Sequence, residues 1–213
     1  MYIPKPYEES DLRVLHEMID AYPLGARVAP GASGLVVNHV PFLVDPDRGP
    51  HGTLVGHVAR ANPVWRIFPL AAASAVIFQG PHAYISPSWY PSKSRHGKVV
   101  PTWNYAVVHA HGLPRIIHDT VWLRNLVERL TARNESSRQV PWKITDAPAD
   151  YIAGNLDAIV GVEIPIDVIE GKWKMSQNQS AADRRGVIEG LRARGQAGDD
   201  AVADLVESGA KSP

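Results

Sequence analysis

The sequence contains no cysteine. Disulfides, thiolate metal sites, iron–sulfur clusters and cysteine nucleophiles are therefore excluded, and the composition fits a reducing compartment. Surplus charge is also missing: 22 Lys and Arg balance 22 Asp and Glu. A domain held on nucleic acid by its overall field carries a basic excess, so any such contact here needs a local basic patch. Long apolar runs are absent. The longest, residues 70–78, is about half of a membrane span. The opening MYIPKPYEESD lacks the basic-then-apolar order of a secretion signal. A soluble, cytoplasmic protein with no membrane partner is expected. No G-x-G-x-x-G, Walker A or G-x-S-x-G pattern occurs, which leaves Rossmann, P-loop and serine-hydrolase sites without support.

What is present suffices for a core: 45% of the 213 residues are hydrophobic. The length favours one domain with appendages, here residues 1–195 followed by a small, polar, acidic tail over 196–213 that reads either as disordered or as carrying one short helix near 202–206. Residues 9–22 read as a helix capped by Ser10. Val- and Ile-rich segments at 24–29, 34–44, 52–60, 75–85 and 98–112 are separated by Gly or Pro and read as strands. Short connections predict an antiparallel sheet, and a barrel or sandwich buries its edges economically. Further helices are predicted over 120–133 (capped by Asp119), 148–160, and 181–194, with Ser180 and Asp183 forming a capping box. Val162, Ile164, Ile166 and Val168 alternate as one face of a half-buried strand over 162–169.

Four stretches crowd polar, aromatic and glycine residues together: GHVARANPVW, GPHAYISPSWYPSK, VVPTWNYAVVHAHG and EGKWKMSQN. In the first, Asn62 and Pro63 open a helix, and Arg60 leads into it. Free N–H groups at a helix start plus a guanidinium can seat a phosphate; the same residues also fit an ordinary capped helix with a surface Arg. In the third, Trp103, Tyr105, Val107, His109 and His111 share one strand face and Thr102, Asn104 and Ala106 the other. The aromatics suit core, interface or a ring platform. Ser92, Lys93 and Ser94 fit a phosphate contact or a solvated loop, and Lys172 and Lys174 flank Trp173 on one side. His109 and His111 have a spacing that suits a metal, but no third ligand follows at a recognisable spacing and the nearest carboxylate, Asp119, lies past a turn. No metal site is expected.

Taken in order, MYIPKPYEESD, PLGARV, GLVVNHVPFLV, LVGHVARANPVW, FQGPHAYISPSWY, VVPTWNYAVVHAHG, IVGVEIPI and EGKWKMSQNQS resemble the PaiB family of FMN-binding negative transcriptional regulators over residues 1 to about 192. Departures are small, at Gly25, Ala26 and Met175. The resemblance implies a mainly β fold with flanking helices, the FMN-binding split β-barrel related to pyridoxamine-phosphate oxidase. It implies a homodimer with FMN near the subunit interface, and DNA or a regulatory protein as partner, although no helix-turn-helix is evident. Under that reading Arg60, Ala61, Asn62, Ser92, Lys93 and Thr102 serve the FMN phosphate. Asn38, His39, Trp103, Asn104 and Tyr105 wall the ring, with only one of Asn38 and His39 facing it unless the strand bulges, and Gln177 and Asn178 close the site. No general acid, base or nucleophile stands out. A flavin needs little such help, so a flavin-dependent oxidoreductase is the alternative, with haem binding through His39, His57, His109 or His111 as a third.

Overall fold

The computed structural model describes residues 1–31, 33–67 and 74–209. The elements run β1 (Glu8–Glu9), α1 (Leu12–Ala21), β2 (Leu24–Gly31), β3 (Gly34–Pro41), β4 (Leu43–Asp45), β5 (Thr53–Ala59), α2 (Val64–Ile67), β6 (Ser74–Ile85), α3 (Ser92–His96), β7 (Thr102–Gly112), β8 (Arg115–Ile117), α4 (Thr120–Glu135), α5 (Ala149–Asp157), β9 (Ile159–Pro165), β10 (Val168–Lys174), α6 (Ala181–Arg194) and α7 (Asp199–Glu207). They form two compact units. One comprises Met1–Tyr22, Phe78–His109 and the chain from Glu170 onward; the other comprises Pro23–Ile77 and Ala110–Ile169. The tail expected after residue 195 belongs to the first unit, and its helix is α7.

In the first unit the strand order is β1-β10-β7-β6. Along β7, Asn104, Ala106 and Val108 are fully buried while Trp103, Tyr105, Val107 and His109 alternate on the more open face, as the period of two requires. Helix α1 covers the buried side. Asp11, not the expected Ser10, caps it by accepting a bond from the Arg13 N–H at 2.9 Å. Small residues let this helix approach: a Cβ on Gly80 would lie 2.9 Å from Met18 Cε, and one on Gly171 would lie 2.2 Å from Leu15 Cδ2. Ser180 caps α6 as expected, accepting from the Asp183 N–H at 3.1 Å, and Gly195 ends it at φ 62°. The Asp183 carboxylate does not reach back to the Ser180 N–H. It accepts from the Ser92 N–H at 3.0 Å and from Ser180 Oγ at 2.8 Å, joining α6 to the start of α3.

In the second unit β2 and β3 form an antiparallel hairpin with continuous register from Leu24↔Pro41 to Gly31↔Gly34. The strand expected over 34–44 is broken at Phe42, which is fully buried and donates its N–H to the Pro23 carbonyl at 2.9 Å. The chain then enters a second antiparallel sheet ordered β4-β5-β9-β8. The half-buried strand expected over 162–169 is corrected likewise: β9 ends at Pro165 and β10 begins at Val168. Every residue from Val160 to Ile164 is buried, because β9 is central and covered on both faces. Even Glu163 is only 5% exposed, held by Arg48 at 2.6 Å and Arg115 at 3.7 Å. Helix α4 starts at Asp119, whose carboxylate accepts from the Trp122 N–H at 2.7 Å. Leu123, Ile144, Ile152 and Leu156 form the core shared by α4 and α5.

Candidate functional site

The thirteen residues singled out by sequence divide between the units. In the second, Arg60 lies just past β5. Its Nε donates to the Asp157 carbonyl at 2.6 Å and its Nη2 to the Ile159 carbonyl at 2.8 Å, with Nη1 3.4 Å from His118 Nδ1. The guanidinium thus stitches the α5–β9 junction to the end of β5. Donors expected to serve a phosphate there are thus engaged by backbone carbonyls, and α2 is a single turn whose dipole is small. Asn62 does cap that turn, accepting from the Val64 N–H at 3.1 Å. Its amide also donates to Asn38 Oδ1 at 3.0 Å. Ala61 is exposed beside it.

The unbulged hairpin register settles Asn38 and His39: they face opposite ways, and His39 is the exposed one. Directly across from Asn38 stands Arg27, a residue sequence reasoning passed over. It is 1% exposed, and burial lowers its pKa to about 10. Gly25 and Ala29, two positions either side, share its inward face, leaving room for one long cation.

In the first unit the open face of β7 and β10 carries the denser chemistry. Lys172 and Lys174 lie on one side of β10, as alternation predicts, and Trp173 is buried on the other. Lys174 Nζ donates to Thr102 Oγ1 and to the Trp103 carbonyl, the latter at 2.9 Å. Burial pulls the Lys174 pKa down; Tyr105 opposes this and Lys172 adds to it. Lys172 Nζ lies 5.3 Å from the centre of the Tyr105 ring and donates to the Tyr2 carbonyl at 3.1 Å. Trp103 is 48% exposed, stacks on His82 at 5.9 Å and 23°, and meets Tyr84 edge-on at 6.2 Å. An aromatic plate therefore borders two partly desolvated ammonium groups and a hydroxyl. A planar ring with an anionic tail is the ligand chemistry this face suits.

Other expected residues are committed elsewhere. Asn104 does not reach out with Thr102. It is fully buried, and its amide donates to Ser176 Oγ at 2.9 Å. Ser176 has a left-handed backbone at φ 61°, a conformation that costs a non-glycine residue about 1 kcal/mol. Gln177 closes the same turn, donating to the Trp173 carbonyl at 2.5 Å and accepting from the Met175 N–H at 2.7 Å; Asn178 is exposed. Ser92 is buried against Asp183. Lys93 is exposed and donates to Ser88 Oγ at 3.2 Å. Glu170 places a carboxylate oxygen within 4.8 Å of a His109 ring nitrogen, a juxtaposition that sequence spacing concealed; Asp119, the nearest acid in sequence, is spent as the α4 cap.

Residues 1–168 match the model of a family described as a putative FMN-binding domain. The chain belongs to this FMN-binding family. A member-like relative, the protease synthase and sporulation protein PAI 2 of Bacillus subtilis, is 31% identical over 97% of both chains. An uncharacterized protein of Emericella nidulans is 33% identical over 97% of this chain and 96% of its own. The resemblance to the PaiB family drawn from the sequence words is therefore borne out, as is FMN as the family's cofactor. Among solved structures, the FAD and heme binding protein from Mycobacterium smegmatis superposes with a TM-score of 0.59 at 18% identity, over 90% of this chain and 82% of that one. The flavocytochrome Anf3 from Azotobacter vinelandii superposes with a TM-score of 0.57 at 13% identity, over 78% and 69%. These similarities bear on the fold, which is the expected split β-barrel class: antiparallel sheets with flanking helices.

Proposed function

We propose that this protein binds FMN and uses the bound flavin as the sensing group of a negative regulator of gene expression. The observation that carries the flavin reading is the open face of β7 and β10, where Lys174 and Thr102 adjoin the exposed Trp103 and the half-buried Tyr105. Those residues fit the cofactor. Lys174 and Thr102 would take its phosphate through a charge-assisted and a neutral hydrogen bond, and Trp103 would offer its indole face to the ring. Bound there, the flavin supplies hydride and single-electron transfer.

The regulatory part is supported by the collinear relationship to PAI 2, whose name links it to protease synthesis and sporulation. It is also supported by a group of exposed cations, Lys93, Arg95 and Lys98, in a chain with no overall charge excess. Such a group suits a phosphate backbone. A cytoplasmic location follows from that role. We further propose a homodimer. One face of the β2–β3 hairpin exposes Leu24 (61%), Leu35 (75%) and Val37 (53%), an apolar surface that a second copy would cover.

The experiment is the visible spectrum of the purified protein, followed by a gel shift with DNA from upstream of its own gene across a salt series, with the flavin oxidised and reduced. Two broad flavin bands and sequence-selective binding that changes with redox state are expected. A colourless protein that refuses added FMN ends the flavin reading. Binding to any DNA alike that vanishes at moderate salt ends the regulatory one. The second reading, a flavin-dependent oxidoreductase, is favoured by the solvent access of the Trp103–His82 stack. Consumption of reduced nicotinamide by the flavin-loaded protein would select it.

A further inference from the structure

Helix α6 lies beyond the residues that match the FMN-binding family. One of its faces, with the segment that follows β6, lines an open groove of about 880 Å³, a volume in the range of small-molecule sites. Its aromatic wall is Trp89, fixed by α6 itself. A Cβ on Gly190 would lie 2.3 Å from the indole, and one on Gly186 would lie 2.0 Å from the Trp89 carbonyl, so both positions admit only hydrogen. Arg194 lies 5.2 Å over the ring. Its charge is already matched by the buried Asp199 at 2.5 Å, and its Nη1 donates to the Tyr84 carbonyl at 3.1 Å. Tyr84 adds a second ring to the lining.

Two lining charges are left over. Arg185 and Glu189 are exposed, and neither makes a hydrogen bond or ion pair with any described residue. They are one turn apart on α6, where Cβ atoms are about 5–6 Å from each other. Arg before Glu at this spacing is the weaker of the two orientations for a helical pair, which leaves both heads available. The groove thus presents one cation, one anion and an aromatic wall.

We propose that this groove binds a free aromatic α-amino acid. Arg185 takes the carboxylate, Glu189 takes the ammonium, and the side chain lies against Trp89 and Tyr84. A simple anion would satisfy Arg185 and be repelled by Glu189; an amine would meet the reverse. A zwitterion whose ammonium and carboxylate are bonded to one carbon satisfies the two at once. The proposal does not depend on where the flavin sits.

The test is isothermal titration of the full chain, as purified with its flavin, with L-phenylalanine, 3-phenylpropionate and phenethylamine. Saturable binding of phenylalanine is expected, weakened about tenfold or more in Arg185→Gln and in Glu189→Gln separately. Each analogue lacking one charge should bind similarly more weakly to the parent protein. Absorbance of the bound flavin, read on the same samples, should be unchanged in both variants, which separates this site from the flavin reading. No saturable heat up to about 10 mM phenylalanine, a concentration far weaker than ordinary metabolite affinities, would overturn the proposal. So would binding that tolerates both substitutions, or phenylpropionate binding as well as phenylalanine.

Discussion

Replacing Lys174 with Met is expected to release the flavin while leaving the fold intact. The ammonium makes two bonds, to Thr102 Oγ1 and to the Trp103 carbonyl, and one donor remains for a phosphate. A charge-assisted bond of that kind is worth about 1.5–3 kcal/mol net, so the dissociation constant should rise roughly 10- to 150-fold. Met keeps the apolar stem while removing the ammonium. The pH dependence has a definite sign. Burial, reinforced by Lys172, holds the Lys174 pKa below that of an ordinary lysine. FMN affinity should therefore fall as pH rises through that lowered value, earlier than a solvent-exposed lysine would dictate. Folding stability should move the other way. The unfolded chain holds this proton more tightly, so stability grows with pH between the folded and unfolded values. Recovery of free-flavin fluorescence during dilution, from neutral to alkaline pH, measures the first effect; urea unfolding measures the second. Affinity within twofold of the parent in Lys174→Met, or an alkaline limb that is identical in the two proteins, would refute the assignment.

Gly161→Ala should lower stability by about 1–3 kcal/mol through overpacking, since the new Cβ would lie 2.4 Å from the Trp122 ring; thermal melts should show it, and Trp122→Leu should relieve it, whereas additive effects would contradict the packing account. Glu163→Gln removes the charge that holds Arg48 and Arg115 and should cost about 1–3 kcal/mol by denaturant titration; an unchanged midpoint would mean the pair contributes nothing. Leu35→Lys together with Val37→Lys should convert the proposed dimer to a monomer in light scattering, and an unchanged mass would place the interface elsewhere.

Periodicity carried much of the fold. The alternation of β7 and the span of α6 with its Ser180 cap are local properties, and both appear where local chemistry puts them. Boundaries that depend on distant partners were not legible. Phe42 breaks a continuous Val-rich run because Pro23 takes its N–H. Glu163 joins a buried strand because two arginines elsewhere in the chain neutralise it. The candidate site fared similarly. Thr102, Trp103 and Tyr105 were recognisable as a strand face. Arg60 looked available because nothing in ARANP shows that carbonyls about a hundred residues later close on its guanidinium. Arg27 was overlooked because an arginine in a strand reads as solvent-facing until its cross-strand neighbours are known.

The seating of Trp89 on Gly186 and Gly190 has a practical implication for dissection of the chain. A fragment cut at residue 168, where the family match ends, would lose nearly all of β10, which pairs with β7. It would also lose both glycines that shelter the indole and the carboxylate that anchors the Ser92 N–H. The shortest piece worth expressing therefore runs at least through α6 and, given the Arg194–Asp199 pair, into α7.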